Sequence, residues 1–173
     1  MTITAARTRL WLLLPLLPRL VKGQCTSSTL LNPPESSRSY STIWANEAIG
    51  TGHARSMLNS VQAWSATNNV NQHMTIDAGT VYMIHGIATQ GRADYGQWVK
   101  SYSVQVSADG STFTDVDGGA SFTGNSDRNT VVIACPSSAV PARYVRLKPK
   151  TWYGHVSMRA ALHVSATPPP SPP

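Results

Sequence analysis

Serines, histidines and acids are all present in this chain, so hydrolysis is the first chemistry to weigh. Catalysis needs a nucleophile, a base and an orienting group that converge, with a strained elbow or an oxyanion site to support them. The sequence has no Gly-x-Ser-x-Gly, no His-Glu-x-x-His and no phosphate-cradling glycine loop. Its five histidines, His53, His73, His85, His155 and His163, fall at no metal-ligand spacing. His85 lies within an apolar run, which suits a hydrogen-bonded core residue. An enzyme is therefore not expected. Asp109-Gly110-Ser111-Thr112 and Asp115-Val116-Asp117-Gly118-Gly119 carry oxygen ligands. Neither matches the twelve-residue calcium loop, and both read as turns.

Other residue types suit recognition. In Ile43-Trp44-Ala45-Asn46 an Ile-Trp pair stands in a loop-like setting. Apolar groups exposed there are costly in water and mark a contact surface. Thr67-Asn68-Asn69-Val70-Asn71 and Arg92-Ala93-Asp94-Tyr95-Gly96-Gln97 are polar stretches of similar character. Asn68, Asn69, Arg92 and Asp94 can donate to and accept from sugar hydroxyls, while Trp44 or Tyr95 can stack on a sugar's apolar face. The same stretches could meet a membrane. Ile43 and Trp44 would enter the interface, and Arg38, Arg92 or Lys100 would attract anionic phospholipid headgroups. One shallow apolar insertion gives only marginal membrane binding, which ranks glycan above lipid.

The elements that must hold these stretches read as β-strands. Met74, Ile76 and Ala78 alternate with Thr75, Asp77 and Gly79, and Val81 to Ile87 follow as a strand buried on much of both faces. Val104 and Val106 alternate with serines and Gln105, and Asp109-Gly110 makes a hairpin turn. Val145 and Leu147 share a face opposite Arg146 and Lys148. Val156, Met158, Ala160 and Leu162 share another, opposite Ser157, Arg159 and His163. No window carries a sustained helical stripe. Many short strands with regular turns predict an all-β sandwich or jelly roll.

Both ends differ from this body. Arg7 and Arg9 precede the apolar run Leu10–Leu17, and small Gly23 precedes Gln24, the layout of a secretory signal peptide over residues 1–24. The tail over 166–173 ends in Thr167-Pro168-Pro169-Pro170-Ser171-Pro172-Pro173, a solvated or polyproline segment. Between them lie roughly 140 residues, enough for one domain with one core. The formal charge is +6, but Arg7, Arg9, Arg19 and Lys22 belong to the leader. The remainder holds ten basic residues against eight acids, a net of +2. That leaves no dense basic face for nucleic acid. A secreted, extracellular location permits a disulfide between Cys25 and Cys135, with free or intermolecular thiols as the alternative.

Several motifs in order resemble the discoidin domain, also called the coagulation factor V/VIII C-type domain. They are Ser36-Ser37, Ala54-Arg55, Leu58-Asn59, Ala63-Trp64, Gln90-Gly91-Arg92, Gln97-Trp98-Val99, Gly124 to Asn129, Arg143-Tyr144-Val145-Arg146-Leu147 and Thr151-Trp152-Tyr153-Gly154-His155. The resemblance covers roughly residues 25–165. It implies a galactose-binding-domain-like β-sandwich that binds through loops at one end. It places the Trp44 stretch as a protruding spike, with the Asn68-Asn69 and Arg92–Tyr95 loops beside it. Trp64 and Trp152 match the core tryptophans. Asp127, Arg128, Arg143, Arg146 and Arg159 match positions that stabilise the fold.

The implied function is a secreted or cell-surface module that recognises carbohydrate in cell or matrix adhesion. The ligand-binding set is Ile43, Trp44, Asn46, Asn68, Asn69, Arg92, Asp94 and Tyr95, with glycans as partners. Anionic phospholipid headgroups, or a structural matrix or cell-wall role, are the alternatives. No cofactor is expected. Related sandwiches often hold a structural calcium through backbone carbonyls, which no sequence pattern reveals, so calcium is left unassigned. Discoidins can carry Arg-Gly-Asp where this chain has Arg92-Ala93-Asp94, and alanine restricts the open turn that glycine allows. Integrin-type attachment is not expected.

Overall fold

The computed structural model describes Cys25 and residues 28–165. The expected signal peptide and proline-rich tail lie outside the described residues. Ten strands form one curled antiparallel sheet: β1 (Thr29–Leu31), β2 (Arg38–Tyr40), β3 (Trp64–Ser65), β4 (Met74–Gln90), β5 (Trp98–Ser107), β6 (Thr114–Asp115), β7 (Phe122–Thr123), β8 (Val132–Ala134), β9 (Val140–Tyr153) and β10 (Ser157–Ser165). Its main path runs β1-β10-β4-β9-β5-β6, with β2 and β8 on β4, β3 on β10 and β7 on β5.

Strand β4 makes the sheet close on itself. The two expected strands over 74–87 are one long strand that changes neighbours along its length. Met74–Ile76 pair with β2 and β9, a break follows between Asp77 and Tyr82, and Met83–Gln90 pair with β10. The alternation in the sequence then points Met74, Ile76, Ile84, Val104, Val145, Leu147, Met158 and Leu162 into one core, with Trp64 and Tyr102. Each such side chain contributes about 1.5–3 kcal/mol by leaving water. Trp152 is half-buried and packs against the same core.

Two expectations need revision. Strand β10 is buried on both faces, because Ser157, Arg159 and Ala161 are covered along with Val156, Met158, Ala160 and Leu162. The loops that carry Ser56, Ser60, Gly91 and Arg128 close over its second face. His85 is not a hydrogen-bonded core residue. It sits half-buried at the bulge where β4 and β10 slip register, and its Nε2 has no hydrogen-bond partner among the described residues.

Two buried arginines tie the loops to the sheet. Arg38 donates to the carbonyls of Pro33, Ser56 and Ala160 and to Asn32 Oδ1, at 2.8–3.1 Å. Arg159 donates to the carbonyls of Gly91, Ser60 and Arg128 and to Asn129 Oδ1, at 2.7–3.0 Å. A buried cation tolerates its surroundings only when it is so paired. At the surface Arg143 meets Asp77 through two bonds of 2.8 and 2.9 Å, and Arg146 lies across Thr75 and Phe113. Cys25 and Cys135 form a disulfide with a Cα–Cα separation of 5.8 Å, joining the start of the domain to the residue after β8.

Candidate glycan-binding cleft

A cleft of about 380 Å³ opens at the loop end of the sheet. Its aromatic wall is Trp44, carried on a single 3-10 turn, Trp44–Asn46. Ala45 and Asn46 take positive φ there, which makes the turn tight. Ile43 anchors it, packing against the core while its carbonyl accepts from Thr67 Oγ1 at 2.8 Å. One residue earlier, the Thr42 carbonyl accepts from the indole of buried Trp64. The Trp44 ring therefore stands on a rigid base yet remains 48% exposed.

Two imidazoles flank that ring. His155 lies edge-on at 5.7 Å and His53 tilted at 6.4 Å. His155 Nε2 is 2.7 Å from the Ala66 carbonyl, which can only accept. Nε2 thus carries a hydrogen and is spent on the backbone. His53 Nδ1 is 2.8 Å from the Glu47 carboxylate, which can only accept, so Nδ1 carries a hydrogen. The His53 backbone N–H also donates to Glu47. These bonds hold the Glu47 carboxyl below its ordinary pKa.

The donors come from the opposite wall. Arg92 spends Nε and Nη2 on Asp94 at 2.6 and 3.1 Å, and Nη1 on Gln97 Oε1 at 3.1 Å. A guanidinium has five N–H donors, so these three bonds leave two for a ligand. The bonds from Arg92 hold the Asp94 carboxyl below its usual range. Gln97 Oε1 also accepts from Ser157, while its Nε2 has no hydrogen bond to the described residues. Tyr95, 61% exposed, lies under the Arg92 guanidinium. Ser65 forms the floor, and its hydroxyl bonds to Ser157 rather than to either histidine. The cleft therefore offers an aromatic face, two imidazole rings and several N–H donors, a set suited to binding a polyol.

Of the expected set, Trp44, Arg92 and Tyr95 meet in the cleft. Asp94 acts one step back, holding Arg92. Asn46 is exposed on the Trp44 turn and is not part of the cleft lining. Ile43 faces the core instead of forming an apolar tip. Asn68 and Asn69 do not line the cleft either. Asn68 Oδ1 accepts from the Val70 N–H and Gln72 Nε2, and Asn69 Oδ1 accepts from the Val156 N–H. Arg38, expected to attract headgroups, is buried. The reading from sequence missed His53, His155, Gln97, Ser65 and Gly154 as lining residues. Gln97 closed the Arg92–Gln97 stretch singled out for recognition but was not named as a contact, and Gly154 and His155 lay in a family motif with nothing to mark them as ligand-facing.

The F5/8 type C domain model matches residues 36–162. The chain belongs to that family. A discoidin-1 of Dictyostelium discoideum is 30% identical over 142 residues, which is 82% of this chain and 54% of that protein. The chain thus spans about half the length of this curated relative. The solved structure of discoidin II from the same organism has a TM-score of 0.63 at 24% identity, covering 82% of this chain and 60% of that one. A family 32 carbohydrate-binding module from Clostridium perfringens, solved in complex with GalNAc-β-1,3-galactose, has a TM-score of 0.58 at 17% identity. It covers 80% of this chain and all of the module. These two likenesses, both under 25% identity, are likenesses of fold. Among the described residues no helix is long and apolar enough to cross a membrane.

Proposed function

We propose that this F5/8 type C domain is a secreted or cell-surface module that binds glycans in cell or matrix adhesion. The observation that carries the reading is the half-exposed Trp44 ring between two imidazoles, facing the spare N–H groups of Arg92 and Gln97. Sugar hydroxyls both donate and accept, and a pyranose has an apolar face, so one ring can satisfy every element of this set. The sugar complex of the Clostridium module, which shares the fold, supports the same reading. A glycan array tests it: the wild-type domain gives hits, and the Trp44→Ala, Arg92→Ala double variant loses them.

A second reading is peripheral binding to anionic phospholipid. It draws on Val61 and Val70, 70% and 69% exposed, on loops that border the cleft. With Trp44 they would enter the membrane interface. Binding to phosphatidylserine liposomes with a blank array would favour this reading. Silence in both assays with an intact fold would favour a structural matrix role.

A further inference from the structure

We propose that the cleft is the first of two adjoining subsites, and that the stacked Trp98–Tyr153 pair holds the next residue of an oligosaccharide. This rests on the glycan reading above and extends it to ligand length. Trp98 and Tyr153 are directly opposed across β5 and β9, with ring centroids 4.4 Å apart and planes within 14°. Tyr153 is nevertheless 56% exposed. Trp98 covers one face of its ring, and over half of the residue stays accessible to solvent. A ring already held in place costs little further entropy when a ligand stacks on it.

The pair also adjoins the cleft through the chain itself. Gln97 precedes Trp98, Gly154 and His155 follow Tyr153, and all three line the cleft. Gly154 adopts φ +69, and a Cβ there would lie 3.0 Å from the Gly96 carbonyl. The two loops therefore meet backbone to backbone. A Cβ at exposed Gly96 would touch nothing within 4 Å. Neither glycine raises a side chain between the cleft and the Tyr153 ring, and the Gln97 side chain, its Cγ 3.2 Å from the Cβ position at Gly154, lies along the same saddle. Farther along the same outward row, the Ser101 and Thr151 hydroxyls, 2.6 Å apart, offer polar contacts. A monosaccharide site needs neither the low glycine saddle nor the rigid second platform. A chain of linked sugars uses both.

The test is binding of the intact domain to matched mono-, di- and tetrasaccharides in the galacto, gluco and manno series, with the thermal midpoint of each variant recorded. The wild-type domain binds the tetrasaccharide of its preferred series about five- to tenfold more tightly than the monosaccharide, the worth of one added aromatic contact. Tyr153→Ala removes that gain and leaves monosaccharide affinity unchanged, whereas Tyr153→Phe keeps it. Gly96→Leu, which has room to fold, blocks the saddle and removes the gain as well. Equal wild-type affinity for mono- and tetrasaccharide overturns the second subsite. So does a length-dependent gain that survives both Tyr153→Ala and Gly96→Leu. Either result leaves the cleft reading standing. Absence of binding in every series by a folded domain overturns both.

Discussion

Arg159 and Arg92 represent two regions that use the same side chain in opposite ways. Arg159 is 2% exposed and ends on three backbone carbonyls and an asparagine oxygen, so its work is to hold loops on the sheet. Arg92 stands at the cleft, held by the side chains of Asp94 and Gln97, and keeps donors in reserve. A buried arginine whose bonds end mostly on backbone carbonyls of the loops stabilises the fold. One oriented by other side chains, with N–H groups left over, is prepared for a ligand. The same contrast separates Trp64, sealed in the core with its indole bonded to Thr42, from Trp44, half-exposed between two histidines.

This division can be broken from the scaffold side first. The Cys25→Ser, Cys135→Ser variant opens a loop spanning 110 residues and lowers stability by about 4 kcal/mol. Arg159→Leu strands the carbonyls of Gly91, Ser60 and Arg128 and costs about 3 kcal/mol. Urea midpoints check both, and a shift of Arg159→Leu near zero would remove it from the scaffold class. Trp44→Ala sharpens the contrast, because it weakens glycan binding about tenfold or more with the thermal midpoint unchanged. A large fall in that midpoint would make Trp44 a scaffold residue.

The smallest effect is on pH. Asp77 is held below its usual pKa by the Arg143 hydrogen bonds, and Asp94 by those from Arg92. Both contribute stability that is complete above the unfolded value, near 4, and is lost as pH falls through the lower folded values. Asp77→Asn therefore flattens the acid limb of the stability profile measured by thermal melts from pH 7 to 2. An unaltered acid limb would show that the Asp77–Arg143 pair contributes no net stability.

The scaffold was largely legible because its signals are local. Val145 and Leu147 opposite Arg146 and Lys148 declare a strand face, and Trp64 marks the core beside Ala63. The cleft was legible only in its loop positions and in Trp44, Arg92 and Tyr95. His53 and His155 lie far apart in sequence and share no ligand spacing. Their roles come from Glu47 and the Ala66 carbonyl, each of which holds a hydrogen on one ring nitrogen. Asn68 and Asn69 looked like ligand contacts by residue type, but their Oδ1 atoms accept from the backbone N–H groups of Val70 and Val156, and neither residue lines the cleft. Arg38 looked like a surface cation until the loop carrying Ser56 closed over it.

The order of residues by itself determined the long strands, one inward face of each and the family to which the domain belongs, because alternation and motif spacing act between near neighbours. The folded chain alone decided which polar groups remain unspent at the cleft. Hydrogen-bond partners are chosen by proximity in space, and loops far apart in sequence become neighbours only when the sheet has closed.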